Sequence, residues 1–489
     1  MVLALTLLLA MPVGTFLALM LFRTNIWGRK FLWIALGSQI AIPLYVFAGG
    51  WSAGFGFQGW TNILGFRLTD YVGNSEAGSW GALLAVTAIH SFAAIPWVAM
   101  LLSIGLLWVN RSEEEQGLID GGLVHLFVRV ILPKCRIWLA ASALSCLVPV
   151  ATEMVVSNLY QLPTLTEQVY LDHTLGELSP LTYVSSFFFC MLPMAIALLL
   201  VLRRAPKLSD MQHKESFFAA SVYSLGSWRI AMSLIAWAIM IFLVGLPWFN
   251  LVFKSGWTPI IDGDQTSYTW TLERFLTTVD EAITLNGSQY YWSSLLALAA
   301  SLFALASSLL CFGMFRGNWR WLPAAFCLLL LSVPGPLVGS ILIWVLNRSE
   351  PAFLGQLYDS TLTAPVLAQQ FRLLPFAWLL TCLTFASISP RTWEQADLDE
   401  LRGIQLLWQV VLPQTKYRWL AIWLLLFVLS FGELSCSILV MPPGVSTISN
   451  RLFEFLHFGM RHKDSGICLV LMLFGWAVSY VFWKTLSDR

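Results

Sequence analysis

Two carboxylates stand where an apolar chain tolerates few. Glu153 and Glu433 each sit inside a hydrophobic run, and each is followed four residues later by a serine, Ser157 and Ser437. A carboxylate at the depth of a membrane span is costly unless paired or hydrated, so such groups face a bundle interior or a wet cavity. Two readings stay open for the pair: members of a solute route or its gate, or structural hydrogen bonds to a neighbouring helix at a bend. Other reactive patterns are missing. No G-x-x-x-x-G-K-[ST] loop cradles ATP phosphates, so the chain is expected not to be an enzyme, and any ATP hydrolysis belongs to another subunit. Gly54-Phe55-Gly56 has no following Lys and is expected in an outer loop. The eight Cys form no CxxC pair or Cys/His cluster, and read as small core residues rather than disulfides or metal ligands. His457 is expected to be structural or a docking residue, and neither a metal site nor a resident cofactor is expected.

The elements that hold these residues follow from composition. Of 489 residues, 58% are hydrophobic and 11% charged, and mean hydropathy is +0.73. A soluble chain of this size needs far more polar surface, so the excess must face a bilayer. A net charge of +1 gives no field to steer it to nucleic acid. Apolar runs long enough to cross fall near 3–22, 31–50, 81–109, 137–157, 181–202, 230–252, 291–314, 321–346, 364–388, 419–440 and 465–483. The first lacks the basic flank of a signal peptide and reads as a span. Placing alternate connections on one side gathers Arg111, Arg129, Lys134, Arg203, Arg204, Lys207, Lys214, Arg316, Arg402, Lys416 and most of the other Lys and Arg. The positive-inside rule makes that side cytoplasmic, with the N-terminus outside and the C-terminus inside.

The chain repeats itself. Phe22-Arg23 and Pro43-Leu44 are matched by Phe315-Arg316 and Pro336-Leu337. From Pro96 onward the offset is 279 or 280: Pro96 with Pro375, Glu115 with Glu394, Asp120 with Asp399, Leu132-Pro133 with Leu412-Pro413, and Glu153 with Glu433. Charged residues and prolines are costly in spans and do not recur in register by chance. The expected layout is a first repeat over 1–205, an extra span and outer amphipathic segment over 206–290, and a second repeat core over 291–489. The first repeat then has five spans, one fewer than the remainder of the chain.

Two connections on the basic side carry most information. The first runs from Glu115 through Gly121-Gly122 to Leu132-Pro133, and the second from Glu394 through Asp399 and Gly403 to Leu412-Pro413. Each opens on acidic residues suited to a helix N-terminus, breaks at glycine, and ends on a Leu-Pro that starts the next span. The short helix between presents Leu126, Phe127 and Val130, or Leu407, Trp408 and Val411, as apolar residues expected to fill a groove on another protein.

Both segments resemble the EAA loop of importer-type ABC transporter permeases, roughly E-A-A-x-x-x-G followed by I/V-x-L-P. Here the double alanine is Gln116-Gly117 and Gln395-Ala396, and Glu400 stands where the second copy's glycine belongs. Gly432-Glu433-Leu434-Ser435-Cys436-Ser437, Met441-Pro442-Pro443-Gly444 and Leu456-His457-Phe458-Gly459 are similar to the fused ferric-iron branch, a pattern largely shared with thiamine and phosphonate permeases. The resemblance implies an all-α polytopic fold of two tandem MetI-like permease repeats, about eleven helices arranged five plus six. It implies a multi-pass protein of the bacterial inner membrane that works by alternating access, with ferric iron the leading cargo. The implied partners are an ATP-binding subunit, expected as a homodimer and carrying ATP and magnesium, and a periplasmic or extracellular solute-binding protein. Glu115, Gly121, Gly122, Phe127, Leu132, Pro133, Glu394, Asp399, Gly403, Trp408, Leu412 and Pro413 are then the coupling residues. Glu153, Ser157, Glu433, Ser437, Pro442, Pro443 and Gly444 are candidates for the pathway or gate. An ion-coupled secondary transporter is the alternative, and a non-transporting assembly factor the third reading.

Overall fold

The computed structural model describes residues 1–56, 59–63, 78–107, 109–176, 180–204, 222–262, 265–315, 317–348, 350–401, 403–458 and 462–487. The chain is predominantly helical. It begins with α1 (Val2–Arg23), α2 (Arg29–Ile40), α3 (Leu44–Phe55), α4 (Trp60–Ile63) and α5 (Gly78–Leu106). There follow α6 (Arg111–His125), a π turn over Leu126–Ile131, α7 (Leu132–Lys134), α8 (Arg136–Thr152), α9 (Val155–Leu159), α10 (Leu165–Thr174), α11 (Pro180–Ser186) and α12 (Leu192–Arg204). After α13 (Arg229–Met240) and α14 (Leu246–Gly256) comes an antiparallel hairpin, β1 (Trp257–Asp262) with β2 (Gln265–Trp270), pairing Trp257 with Trp270. The remaining helices are α15 (Leu272–Thr284), α16 (Gly287–Met314), α17 (Trp321–Leu331), α18 (Gly335–Leu346), α19 (Ala352–Ser360) and α20 (Thr363–Ala386). They continue with α21 (Pro390–Leu398), α22 (Gly403–Leu406), a π turn over Leu407–Val411, α23 (Leu412–Phe431), α24 (Ile448–Phe458) and α25 (Lys463–Ser487). The all-α class expected from the sequence holds, with one small hairpin between helices.

Among the described residues, seven helices are long and apolar enough to cross a membrane, and nine if each of two sharply bent pairs counts once. Side chains that water would not tolerate face outward along them, such as Ile230, Leu234 and Ile241, and Leu298, Leu302 and Leu310 on α16. An apolar surface of this extent belongs in lipid. The protein is a helical polytopic membrane protein.

Small residues set the helix contacts, as they must where lipid removes the hydrophobic drive for association. The buried face of α16 carries Ser293, Ala297, Ala300, Ala304 and Ser308, and α20 lies against it with Ser308 Oγ and Thr381 Oγ1 2.9 Å apart. On α1, Gly14 lets Val98 of α5 approach. α8 packs on both α1 and α5, and α23 on both α16 and α20.

Several expected spans are broken. The 31–50 run is α2 and α3, bent by 107°, and the 321–346 run is α17 and α18, bent by 103°. Pro43 and Pro334 sit at the N-caps of the second members, where a missing N–H costs nothing and the preceding residue is barred from the helical region. Gly54-Phe55 closes α3 instead of lying in a loop. The runs at 137–157 and 419–440 end as helices at Thr152 and Phe431, one or two residues before the two carboxylates. The 181–202 run stays helical throughout, with a π turn at Phe187–Met191 between α11 and α12.

Close contacts join the N-terminal and C-terminal portions at Pro43 and Gly432, and two breaks within the C-terminal portion at Gly335 and Ser435. A Cβ built on Gly432 would sit 2.2 Å from Pro43 Cγ, and one on Gly335 2.2 Å from Ser435 Oγ. Gly432→Val should therefore destabilise by about 1–3 kcal/mol through overpacking, read as an earlier thermal transition in nanodiscs. Pro43→Ala added to it should recover part of the loss, and an unchanged double variant would contradict the contact.

Candidate functional site

Four helix breaks converge on one cavity of about 270 Å³, at Ile40–Leu44, Thr152–Val155, Leu331 and Gly432–Ser435. The sequence-predicted Glu153 and Glu433 both line it. Neither lies on a continuous helix. Glu153 is the extended C-cap of α8, and its carboxylate accepts from the backbone N–H of Val155 at 2.5 Å and of Val156 at 3.3 Å. Glu433 accepts from the N–H of Cys436 at 2.7 Å and from the hydroxyl of Ser437 at 2.9 Å. Each carboxylate thus serves amide groups freed where a helix stops. The Glu-Ser spacing works as a hydrogen bond only in the second copy: Ser157 instead donates to the Met154 carbonyl at 2.9 Å and accepts from Thr164 at 3.1 Å.

Arg372 on α20 completes the arrangement. Its guanidinium donates to the carbonyls of Leu331 (3.1 Å), Val333 (3.0 Å) and Thr152 (3.4 Å). Leu331 ends α17 and Thr152 ends α8, so one cation sits at two helix C-termini, where the macrodipole favours it. Among the described residues it closes no ion pair with either glutamate. The cavity also takes in His90, Gln39 and the Trp97 and Phe376 rings, whose centroids are 5.5 Å apart. Sequence reasoning missed Arg372, His90 and Gln39. The available signal was a lone ionisable or amide side chain inside an apolar run, the same rule that picked out the glutamates.

Other pathway candidates are not brought here. Pro442, Pro443 and Gly444 form a turn, with Gly444 at φ +82° and Val445 N–H bonded to the Pro442 carbonyl at 3.1 Å. Pro443 and Gly444 are exposed, and Ser157 and Ser437 are buried outside the cavity lining. His457 is exposed. Among the described residues no group of three His, Cys, Asp or Glu converges as metal ligands.

The first loop folds back on itself. By length and composition Arg111–Lys134 qualifies as a span, but Gly121 and Gly122 leave helical geometry, Gly122 with φ +71°. A Cβ on Gly117 would lie 2.8 Å from Val130 Cγ2, whereas a straight helix separates those positions by about 20 Å. Lys134 Nζ reaches Glu113 at 2.8 Å, against about 32 Å in a straight helix. The segment is a hairpin and does not cross. The second loop reverses similarly, with Glu400 at φ +53° and Gly403 at φ +57°.

The apolar residues offered at these loops differ from expectation. Leu126 and Val411 are fully buried, and Phe127, Val130 and Leu407 are half-buried. The chain folds each hairpin back over them, so they hold the loop to its own spans. Ile119, Val124 and Val128 in the first loop, and Leu398 and Trp408 in the second, face outward. Glu115, Glu394, Asp399, Gly403, Pro133 and Pro413 are exposed. Leu132 and Leu412 are half-buried. Arg316, Arg402, Lys207, Lys214 and Gly459 lie outside the described residues.

Both loops lie at the same membrane face. Tyr223 meets the first loop through its hydroxyl on Glu114 and its N–H on the Arg23 carbonyl, 2.8 Å. The helix at Gly226–Gly256, about 46 Å long, leads away to α15, which packs on the far end of α14. α16 then returns to place Phe312 on Phe385 at 4.0 Å, and Phe385 stacks on Trp393 beside Glu394.

The loops are held differently. In the first, Arg23 and Glu114 form a buried ion pair at 2.7 Å, with side chains 4% and 1% exposed. At the position that matches Glu114 by sequence offset, the second loop has Trp393 in its aromatic stack.

No protein-family model, no curated protein and no solved structure matches the chain.

Glu114→Gln leaves the Arg23 charge buried without its partner and should cost about 3–5 kcal/mol. Glu115→Gln removes a pair whose Arg111 is 75% exposed and should cost about 0–1 kcal/mol. Melting both variants in nanodiscs checks the ranking, and equal shifts would remove the clasp as an anchor of the first loop.

Proposed function

We propose that this chain is the transmembrane permease of an ATP-binding-cassette importer, with both halves in one polypeptide. The observation that carries the reading is the pair of folded-back loops at one face, each tipped with outward apolar residues and each running directly into a helix that ends at the central cavity. Such a loop is a lever: a partner that grips Ile119 and Val124, or Leu398 and Trp408, pulls on α8 or α23 and so on Glu153 or Glu433. The open cleft between the arms of the first hairpin, lined by Glu113, Asp120, Arg129 and Lys134, offers that partner charges of both signs.

Support for two tandem MetI-like repeats, about eleven helices as five plus six, comes from matched packing: α1 with α5 and α8, α16 with α20 and α23, and one bent pair after each of α1 and α16. The partners are a homodimeric ATP-binding subunit, which hydrolyses ATP, and an external solute-binding protein. The site is the bacterial inner membrane, with the loop face and the C-terminus cytoplasmic. The cargo implied by the resemblance is ferric iron, with thiamine- and phosphonate-type solutes as alternatives. An ion-coupled secondary transporter is a second reading, favoured by the two bent pairs that end at the cavity, since broken helices in corresponding positions build ion and substrate sites in such carriers.

Trp408→Asp and Ile119→Asp, on exposed sites that bear no core load, should each leave the melting temperature unchanged and reduce ATP-dependent uptake into vesicles at least tenfold. Uptake that persists in both variants, or that responds to an ionophore but not to ATP depletion, would replace the importer reading with the carrier.

A further inference from the structure

The central cavity holds polar groups that the protein itself leaves unused. Gln39 is 6% exposed and its Oε1 has no hydrogen-bond partner, and Ser435 is 7% exposed with an unpartnered Oγ. His90 is 4% exposed and makes no hydrogen bond among the described residues. All three line the cavity beside Glu153, Glu433 and Arg372. Buried polar groups are nearly always satisfied in folded proteins, and an orphan is costly. Gln39 Oε1 and Ser435 Oγ are closed over by the chain, the latter against Gly335, so the polar side chains left to meet a molecule in the cavity are Glu153, Glu433, Arg372 and His90. His90 is instructive because the residue one repeat offset away, Gln369, is satisfied internally, donating to the Ser430 carbonyl at 3.2 Å and accepting from the Ser430 hydroxyl.

We infer that the cavity is a binding site for a small organic cation bearing N–H donors, such as an amidinium or a primary ammonium on a flat apolar body. Two carboxylates face one guanidinium, and that guanidinium is already committed to the carbonyls of Leu331, Val333 and Thr152. An anion would meet two glutamates against one guanidinium, three of whose N–H groups already serve carbonyls. A bare metal ion would need converging ligands, and among the described residues no three His, Cys, Asp or Glu side chains converge. A ligand N–H finds acceptors in the remaining carboxylate lone pairs, beside the His90 and Gln39 side chains that line the cavity, while Trp97 and Phe376 supply an aromatic wall suited to a cation. The volume of about 270 Å³ lies below the roughly 300–1,000 Å³ of pockets for drug-sized molecules, so the ligand is small. The inference rests on reading this cavity as part of a transport route, but not on how transport is powered, and it sets an organic cation against the ferric iron and phosphonate-type cargoes that the resemblance implies.

The test uses benzamidinium as probe on the full chain in nanodiscs, by isothermal titration calorimetry against empty nanodiscs, with neutral benzamide, inorganic phosphate and ferric citrate as comparisons. One saturable site is expected for benzamidinium, at least tenfold weaker for benzamide and undetectable for phosphate and ferric citrate. Glu153→Gln and Glu433→Gln should each weaken binding at least tenfold. Because those side chains also hold helix ends, His90→Phe and Gln39→Leu serve as variants that leave the ends intact, with an expected three- to tenfold weakening at an unchanged melting temperature. Equal binding of benzamide and benzamidinium, no binding of either, or binding indifferent to all four substitutions overturns the proposal. Benzamidinium binding without ATP-dependent uptake would remove the importer reading alone, and ATP-dependent uptake without benzamidinium binding would remove this one alone.

Discussion

A helix that stops inside a bilayer leaves backbone groups with no water to take them, and the rest of this architecture depends on how that cost is met. Four helices stop around one cavity. Arg372 takes carbonyls from two of the stopped ends and from Val333, while Glu153 and Glu433 take amides just beyond two ends. The signs follow the helix dipole: the cation meets C-terminal carbonyls, and the anions meet amides that would begin the next turn. Arg372 reaches across the molecule, from α20 to the end of α8. A single side chain therefore ties the N-terminal and C-terminal portions together at the depth where a charge is hardest to place.

This arrangement also makes the cavity possible. An unbroken bundle with small residues at its contacts closes on itself, as α16 and α20 do along their alanine and serine face. Bends of 107° and 103° hold the helices apart where the breaks meet. The polar groups needed to satisfy the broken ends line the resulting space. Close approach is kept only where glycine permits it, at Gly432 against Pro43 and Gly335 against Ser435.

The portions that match in sequence are not equivalent physically. One loop is anchored by the buried Arg23–Glu114 pair, with Tyr223 joining the segment that leads to α13; the other is anchored by stacked rings at Phe312, Phe385 and Trp393. A buried ion pair is sharply directional and fails abruptly when one partner leaves, whereas stacked rings slide at little cost. The position matching Arg372 at the 279-residue offset is Ala93, and that matching Gln369 is His90. Among the described residues, the one cation of the cavity and its unpartnered imidazole thus come from different halves of the chain.

Composition and apolar periodicity were enough to determine a helical membrane protein, because lipid admits few other solutions for a chain this apolar. Local chemistry also announced the loop reversals: Gly121-Gly122 and Gly403 sit where the helices turn, and Gly122 and Gly403 take the positive φ that glycine adopts cheaply. The intramembrane rule singled out Glu153 and Glu433, which the fold brings to one cavity. It did not reveal that the helices end beside them, because an apolar run reads the same whether it is straight or bent, and only packing against Arg372 and the other broken ends selects the bend. Trp408 was named as an outward residue and is exposed, but Leu126, Phe127 and Val411 could not be told from Ile119, Val124 and Leu398, since hydrophobicity does not say which face a fold-back will cover. Type of element was written locally; where elements break, and which charge answers which broken end, came from the tertiary structure, because those bonds join residues as far apart in the chain as Thr152 and Arg372.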